Sequence, residues 1–395
     1  MTAPTPSTPP RKPLSRIVDA VPPSGIRRFF DLASTMTGVI SLGVGEPDFP
    51  TPWSAREAAI HALSHGATTY TSNSGLLELR ELVCADLAAR YGLDYRPEDE
   101  CLVTSGVSEG LDLALRALLN PGDEVIVPEP CYVAYQPCVA FAGGVGVPVA
   151  LDPSEGYRLD ADRIAAAVTP RTKAVLFGSP SNPTGAAASA ADLAALARVA
   201  VAHDLWLVAD EIYDRLTYGG THASTASAPG ARDRTVLLGG FSKAYAMTGW
   251  RVGYVCAPTS VAALMHRIHQ YTMLCAPHVS QIAAAEAIRG AQGEVEEMVA
   301  DYDRRRRLFV KGLDELGLTC PEPGGAFYAF PSIRSSGLSS AEFAERLLAE
   351  QKVAVVPGDV FGPSGAGHVR CSYATALPLL EEALHRMGRF LARRT

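Results

Sequence analysis

The pattern of apolar and polar positions changes character twice along the chain. Between residues 100 and 257, short apolar runs are separated by helical stretches. The runs are CLVTSG (101–106), DEVIVP (123–128), VGVPVAL (145–151), KAVLFGSP (173–180), LWLVAD (205–210), TVLLGG (235–240) and WRVGYVCAP (250–258). Apolar runs of this length, bounded by Gly, Pro and Asp, predict buried strands, and the stretches 107–119, 160–167 and 189–203 predict helices. Such alternation predicts an α/β domain on a largely parallel sheet, with ligands bound beyond the carboxyl ends of the strands.

The flanking regions read differently. Residues 24–38 (SGIRRFFDLASTMTG) predict a short amphipathic helix, SLGVGEPDFPTP (41–52) a Gly- and Pro-rich loop, and 54–65 and 75–91 two helices. After residue 258, helices are expected at 259–275, 278–290 and 294–317. Strands follow at 324–333, 352–358 and 368–374, with helices at 339–350 and 378–393. This second pattern predicts a smaller α+β domain. A length of 395 residues also favours two or three domains over one. The expected organisation is a disordered tail at 1–13, a segment 14–49 joining the small domain, a large domain at 50–288 and a small domain at 289–395.

Composition narrows the function classes. The chain is 47% hydrophobic and 19% charged, an ordinary globular balance. Its 35 Lys+Arg against 42 Asp+Glu give a net charge of −7, which argues against nucleic acid as a partner. No apolar run approaches the roughly 18–20 residues of a membrane span, and the Pro-rich start lacks the apolar core of a signal peptide. A cytoplasmic protein is expected. The eight cysteines form no CxxC pair, so they read as small buried hydrophobes in a reducing compartment, with no metal site.

Only five lysines (12, 173, 243, 311 and 352) and three asparagines (73, 120 and 182) occur. Any task that needs an amine therefore has few candidates. Lys243 lies among small and apolar residues in GGFSKAYAMTGWRVGY (239–254), which suits either an ion-pairing lysine at the core edge or a desolvated amine able to form a Schiff base. Asp210 ends the apolar strand of LWLVADEIYDRLTY (205–218), with Tyr213 three residues on. It suits either a helix cap or a buried carboxylate aimed at a ligand. Asn182 in SPSNPTG (179–185) suits either a plain turn or a fixed donor. Taken together, an amine for an imine, a carboxylate for a ring nitrogen and a Tyr–Asn pair for a phenolate oxygen describe a pyridoxal-phosphate site.

The segments SLGVGEPDFPTP, SPSNPTG, ADEIYDRLTY, SKAYAMTGWRVGY, GGAFYAF and HVRCSYA resemble the class I/II aminotransferases of the aspartate-aminotransferase fold, fold type I, over about residues 14–393. The AMTGWR form of the lysine motif is similar to the bacterial branch. The resemblance implies an α/β fold with a large, mostly parallel sheet domain and a smaller α+β domain. It implies that Lys243 holds pyridoxal 5′-phosphate as a Schiff base and shuttles a proton, that Asp210 pairs with the ring nitrogen, and that Tyr213 and Asn182 bond the ring oxygen. Tyr132 would stack on the ring. Gly106, Val107, Ser108, Ser242 and Arg251 would cradle the phosphate. Tyr70 would reach the phosphate of a partner subunit, which implies a homodimer. Arg370 and Gly45 would take the substrate carboxylate.

The implied reaction moves an amino group from an L-amino acid to a 2-oxo acid, with 2-oxoglutarate as partner, by a ping-pong exchange through the pyridoxamine form of the cofactor. A carbon–sulfur β-lyase on the same fold is the alternative. A ligand-sensing regulator would need a DNA-binding domain ahead of the fold, and only about 40 residues precede SLGVG. Ser108 stands where some aspartate-specific relatives carry a lysine, and the CAPHVSQ loop (275–281) offers no clear arginine for a distal carboxylate. Strong aspartate preference is therefore not expected. His278 is read as a structural histidine rather than a substrate contact.

Overall fold

The computed structural model describes residue 12, residues 14–23, residue 25 and residues 36–393. The tail expected at 1–13 and the helix expected over 24–38 fall almost wholly outside these residues. Strands are numbered along the chain: β1 (Ile40–Ser41), β2 (Cys101–Thr104), β3 (Glu124–Glu129), β4 (Val145–Ala150), β5 (Thr172–Gly178), β6 (Trp206–Asp210), β7 (Thr235–Gly240), β8 (Gly253–Cys256), β9 (Tyr328–Ala329), β10 (Val353–Ala354), β11 (Val356–Pro357) and β12 (Val369–Ser372).

The seven strands β2 to β8 form one sheet in the order β2-β8-β7-β6-β5-β3-β4. All its pairings are parallel except those of β8, which runs antiparallel to both β2 and β7. The central strands are buried on both faces, as continuous apolar runs require when helices cover both sides of a sheet. They end in small or polar residues, and those ends share one edge of the sheet with the end of β2. Asp210 closes β6, Gly240 leads from β7 to Lys243, Gly178 leads from β5 to Asn182, and Thr104 leads from β2 into the helix Val107–Leu118.

Local signals fix the helix ends. Ser189 and Asp192 form a reciprocal capping box at the start of Ala190–Ala202, and Ser339 with Glu342 does the same for Ser340–Gln351. The helix Leu77–Tyr91 stops at Gly92, which takes the left-handed conformation that suits glycine.

The remaining strands form two small sheets. β1 pairs in parallel with β10, tying the N-terminal segment to the last third of the chain. β11, β12 and β9 form an antiparallel sheet that presents Arg370 from its middle strand.

Three expected strands are shorter than their apolar patterns. In 324–333 only Tyr328–Ala329 pairs as a strand. Gly325 and Ala326 instead donate to the carbonyls of Gly185 and Leu216, so this stretch is bonded to loops at the sheet rim. The run 352–358 splits into β10 and β11 because it changes partner, from β1 to β12, around Val355. The run 250–258 becomes a strand only at Gly253. Thr248–Trp250 is a 3-10 turn and Arg251 adopts φ 53°, a bend that carries its side chain to the sheet rim.

Candidate active site

A cavity of about 530 Å³ opens at the carboxyl ends of the strands, between the large sheet and the small one. Gly45, Val107, Ser108, Tyr132, Asn182, Asp210, Tyr213, Ser242, Lys243, Arg251 and Arg370 all line it. Gly106 sits directly behind. It has φ 80°, and a Cβ added there would lie 2.6 Å from Arg251 Nη2, so only glycine lets the guanidinium approach the helix start. Tyr70 is not part of this wall and stands 79% exposed on the surface of the chain. His278 is partly buried away from the cavity, with Nδ1 enclosed and unbonded.

Lys243 is the cavity's amine. Its Nζ donates to the Gly45 carbonyl at 2.6 Å. Burial lowers its pKa to about 8, and the Arg370 and Arg251 guanidiniums act in the same direction against Glu46 and Asp210. An amine in that range is partly neutral near physiological pH and can act as nucleophile or base.

Asp210 is 8% exposed. Its Oδ2 accepts from the Tyr135 hydroxyl at 2.9 Å and its Oδ1 from the Ile212 N–H at 3.3 Å. Burial raises its pKa to about 6, more than these bonds lower it. A carboxylate so placed, with no cation in an ion pair, is stabilised by a positively charged ligand atom.

Arg370 is 2% exposed. It lies between the Tyr328 and Phe361 rings, with its guanidinium carbon 4.5 and 4.9 Å from their centroids. Nη1 donates to Asn182 Oδ1 at 2.9 Å and Nη2 to the Gly43 carbonyl at 2.6 Å, while Nε is enclosed with no partner. A buried guanidinium held by neutral oxygens alone is suited to an incoming carboxylate, which it can grip with two parallel N–H bonds.

Two residues of the wall carry roles that the sequence reading did not assign. Among the described residues, Tyr135 is the only side chain bonded to the Asp210 carboxylate. It lies three residues after Tyr132 in PCYVAYQP, across the turn that opens the helix Tyr135–Phe141, where its N–H donates to the Tyr132 carbonyl at 3.0 Å. The Tyr328 hydroxyl lies 2.9 Å from that of Tyr213, and a Cβ at Gly45 would come within 2.6 Å of it. Its segment GGAFYAF was noticed, but nothing in the strand pattern separates Tyr328 from Phe327 or Phe330.

The wall fits pyridoxal phosphate on its own chemistry. It combines a low-pKa amine, a buried carboxylate lacking a cation, and a glycine-led helix start beside a guanidinium. The family model described as Aminotransferase class I and II matches residues 37–387. The chain belongs to the class I and II aminotransferases.

The chain is 54% identical to the putative aminotransferase YugH of Bacillus subtilis (strain 168), over 97% of this chain and 99% of that protein. It is 44% identical to aromatic-amino-acid aminotransferase 2 of Thermococcus litoralis, over 96% of this chain and 98% of that one. The solved aspartate aminotransferase of Thermus thermophilus with maleate superimposes with a TM-score of 0.92 at 42% identity, covering 96% and 100% of the two chains. This aminotransferase is thus a pyridoxal-phosphate-dependent enzyme of fold type I, as the sequence resemblance implied. The names of these relatives do not favour the carbon–sulfur lyase alternative. Among the described residues no helix is long and apolar enough to cross a membrane, and no cluster of three or more His, Cys, Asp or Glu could hold a metal ion.

Proposed function

We propose that this aminotransferase moves the amino group of L-amino acids to a 2-oxo acid, with 2-oxoglutarate as partner and without strong preference for aspartate, the two substrates using the cavity in turn. The observation that carries the reading is the convergence of Lys243, Asp210, Tyr213, Asn182 and Arg370 on one cavity. When bound, pyridoxal phosphate supplies an electron sink for the carbanion left at the substrate Cα. Lys243 Nζ would hold the cofactor and, once displaced by substrate, would carry the Cα proton to the cofactor's C4′ carbon. Asp210 would keep a proton on the ring nitrogen, with Tyr135 orienting Asp210. Tyr213 and Asn182 would hold the ring oxygen, and Tyr132 would pack on the ring. The N–H groups at Gly106–Ser108, with Ser242 and Arg251, would hold the phosphate. Arg370 and Gly45 hold the α-carboxylate that every substrate carries.

The donor range follows from the cations available. Ser108 supplies no charge for a distal carboxylate, and Glu46 adds a carboxylate to the wall. Tyr70 in turn is read as reaching the phosphate site of a second copy in a cytoplasmic homodimer. The division into a large domain at 50–288 and a small domain at 289–395, joined by 14–49, belongs to the same reading.

A panel of amino acids with 2-oxoglutarate tests the donor range. The ratio of kcat/KM for aspartate to that for alanine, methionine and an aromatic donor should stay within about 100-fold, roughly 2.7 kcal/mol. A larger preference for aspartate contradicts the reading. In the same panel Arg370→Ala should lower kcat/KM for every donor by about 100-fold, the loss expected for a bidentate charged contact. A loss confined to acidic donors would move Arg370 to the distal carboxylate.

A further inference from the structure

The first turn of the helix Val107–Leu118 carries a carboxylate that none of these roles uses. The Glu109 side chain is only 8% exposed and does not line the cavity. Its Oε2 accepts the Ser105 backbone N–H at 2.5 Å, and its Oε1 meets His269 Nδ1, also at 2.5 Å. His269 is fully buried near the end of the helix Thr259–Thr272, which packs along the first helix. Among the described residues its Nε2 has no partner, and the ring's single polar contact is with Glu109. Because a carboxylate oxygen accepts, Nδ1 donates, and both Glu109 oxygens are occupied.

Ser105 stands between β2 and the helix start. Around it the chain is tightly tied: the Thr104 hydroxyl donates to the Gly106 carbonyl at 2.9 Å, and the Gly106 N–H donates to the Thr104 carbonyl at 2.8 Å. Glu109 occupies the third position of the helix and reaches back to the chain before the cap, much as an acidic residue does in a capping box. The bond fixes the direction in which the chain enters the helix. It therefore fixes the aim of the first-turn N–H groups, which have no partner within the helix. An unanchored carboxylate in this turn could also swing toward a bound phosphate and repel it. His269 holds it back.

We propose that Glu109 and His269 are positioning residues for the cofactor phosphate, a proposal that rests on Gly106–Ser108 being the phosphate cradle. Neither touches the cofactor. Glu109 sets the aim of the cradle and His269 locks Glu109 in the orientation that does so.

The test compares two aldehydes that differ only in the phosphate. The cofactor-free full-length protein is titrated with pyridoxal phosphate and, separately, with pyridoxal, and equilibrium affinities are read from the change in visible absorbance. Glu109→Ala should weaken pyridoxal phosphate by about tenfold or more, while pyridoxal changes by less than about threefold. Glu109→Gln keeps an oxygen that can accept from Ser105, so it should recover most of the loss. His269→Phe keeps a ring of similar size and removes the donor, and it should show the same phosphate-selective loss to a smaller degree. Arg251→Ala is the control for the cradle. If it weakens pyridoxal phosphate selectively and the Glu109 and His269 variants do not, the positioning proposal is overturned and the cradle stands. If Arg251→Ala shows no selectivity either, the cradle assignment falls and the proposal with it. Equal weakening of both aldehydes by Glu109→Ala would mark Glu109 as merely structural and overturn the proposal. Should Glu109→Ala not fold, judged by circular dichroism, His269→Phe decides the question by the same criterion.

Discussion

At the Asp210 end of the cavity the working side chains are buried: Asp210, Tyr213 and Arg370 are 8%, 4% and 2% exposed. They are also bonded within the chain, to Tyr135, Tyr328 and Asn182 respectively. At the Arg251 end, Ser108 and Arg251 lie at the surface, and Tyr70 is 79% exposed. The first end is held in place by the fold itself, at the cost of burying a carboxylate and a guanidinium that form no ion pair among the described residues. The second relies on backbone N–H groups at a helix start, which need no burial to be aimed. The difference teaches where a second chain has something to add. It adds little where packing already fixes every group, and most at the open end, where Tyr70 is proposed to arrive from a partner.

The largest expected effect lies at the buried end. Asp210→Ala should lower kcat by about 1,000-fold or more, roughly 4 kcal/mol, since a buried charge partner is lost where the reaction develops charge. Cofactor should still be retained through the phosphate end, and its retention is checked by the absorbance of the purified variant. Near-normal turnover would show that another group holds the ring, and the contrast between the two ends would dissolve.

A smaller effect is expected at the open end. Tyr70→Ala should cost about tenfold in cofactor affinity, the loss of one hydrogen bond to a charged group. Mixing Lys243→Ala chains with Tyr70→Ala chains should then restore activity, because one of the two sites of a hybrid dimer holds both intact residues. If subunit exchange is verified and no activity returns, Tyr70 does not cross.

A third effect concerns stability. Burial raises the pKa of Asp210 from the ordinary carboxylate range to about 6, so the native state binds its proton more tightly than the unfolded chain does. Its contribution to stability is therefore full at low pH and is lost as pH rises through about 6. Asp210→Asn should make the cofactor-free protein more stable at pH 8, by up to about 2 kcal/mol, and neutral to less stable at pH 4. Thermal unfolding at the two pH values measures it. Equal shifts at both would show that burial of the carboxylate is not the cause.

The large sheet was legible because most of its strands are apolar runs long enough to be buried on both faces, the half-exposed edge strand β4 being the exception, with a helix between most of them. What the pattern could not show was direction. β8 has the same apolar composition as its neighbours, yet it runs antiparallel, because the chain reverses from β7 through the Lys243 loop without a crossover helix. The small strands were over-extended, since residues such as Gly325 and Ala326 satisfy their backbone through loop carbonyls that no local pattern encodes. In the site, Lys243, Asp210 and Asn182 stood out because a rare residue type or a charge at a strand end is conspicuous. Tyr135, Tyr328 and Glu109 did not. An aromatic among aromatics, and an acid in a helix's first turn, are what packing and capping alone would place there.

The central claim is that Lys243 is the residue that carries the cofactor. Reducing the purified yellow enzyme with borohydride fixes the cofactor to the amine that holds it, and peptide mapping then reads which lysine that is. Of the five lysines in the chain, the label should fall on the peptide containing Lys243 alone. Label on Lys173 or Lys311 instead would contradict the assignment of this cavity as the active site.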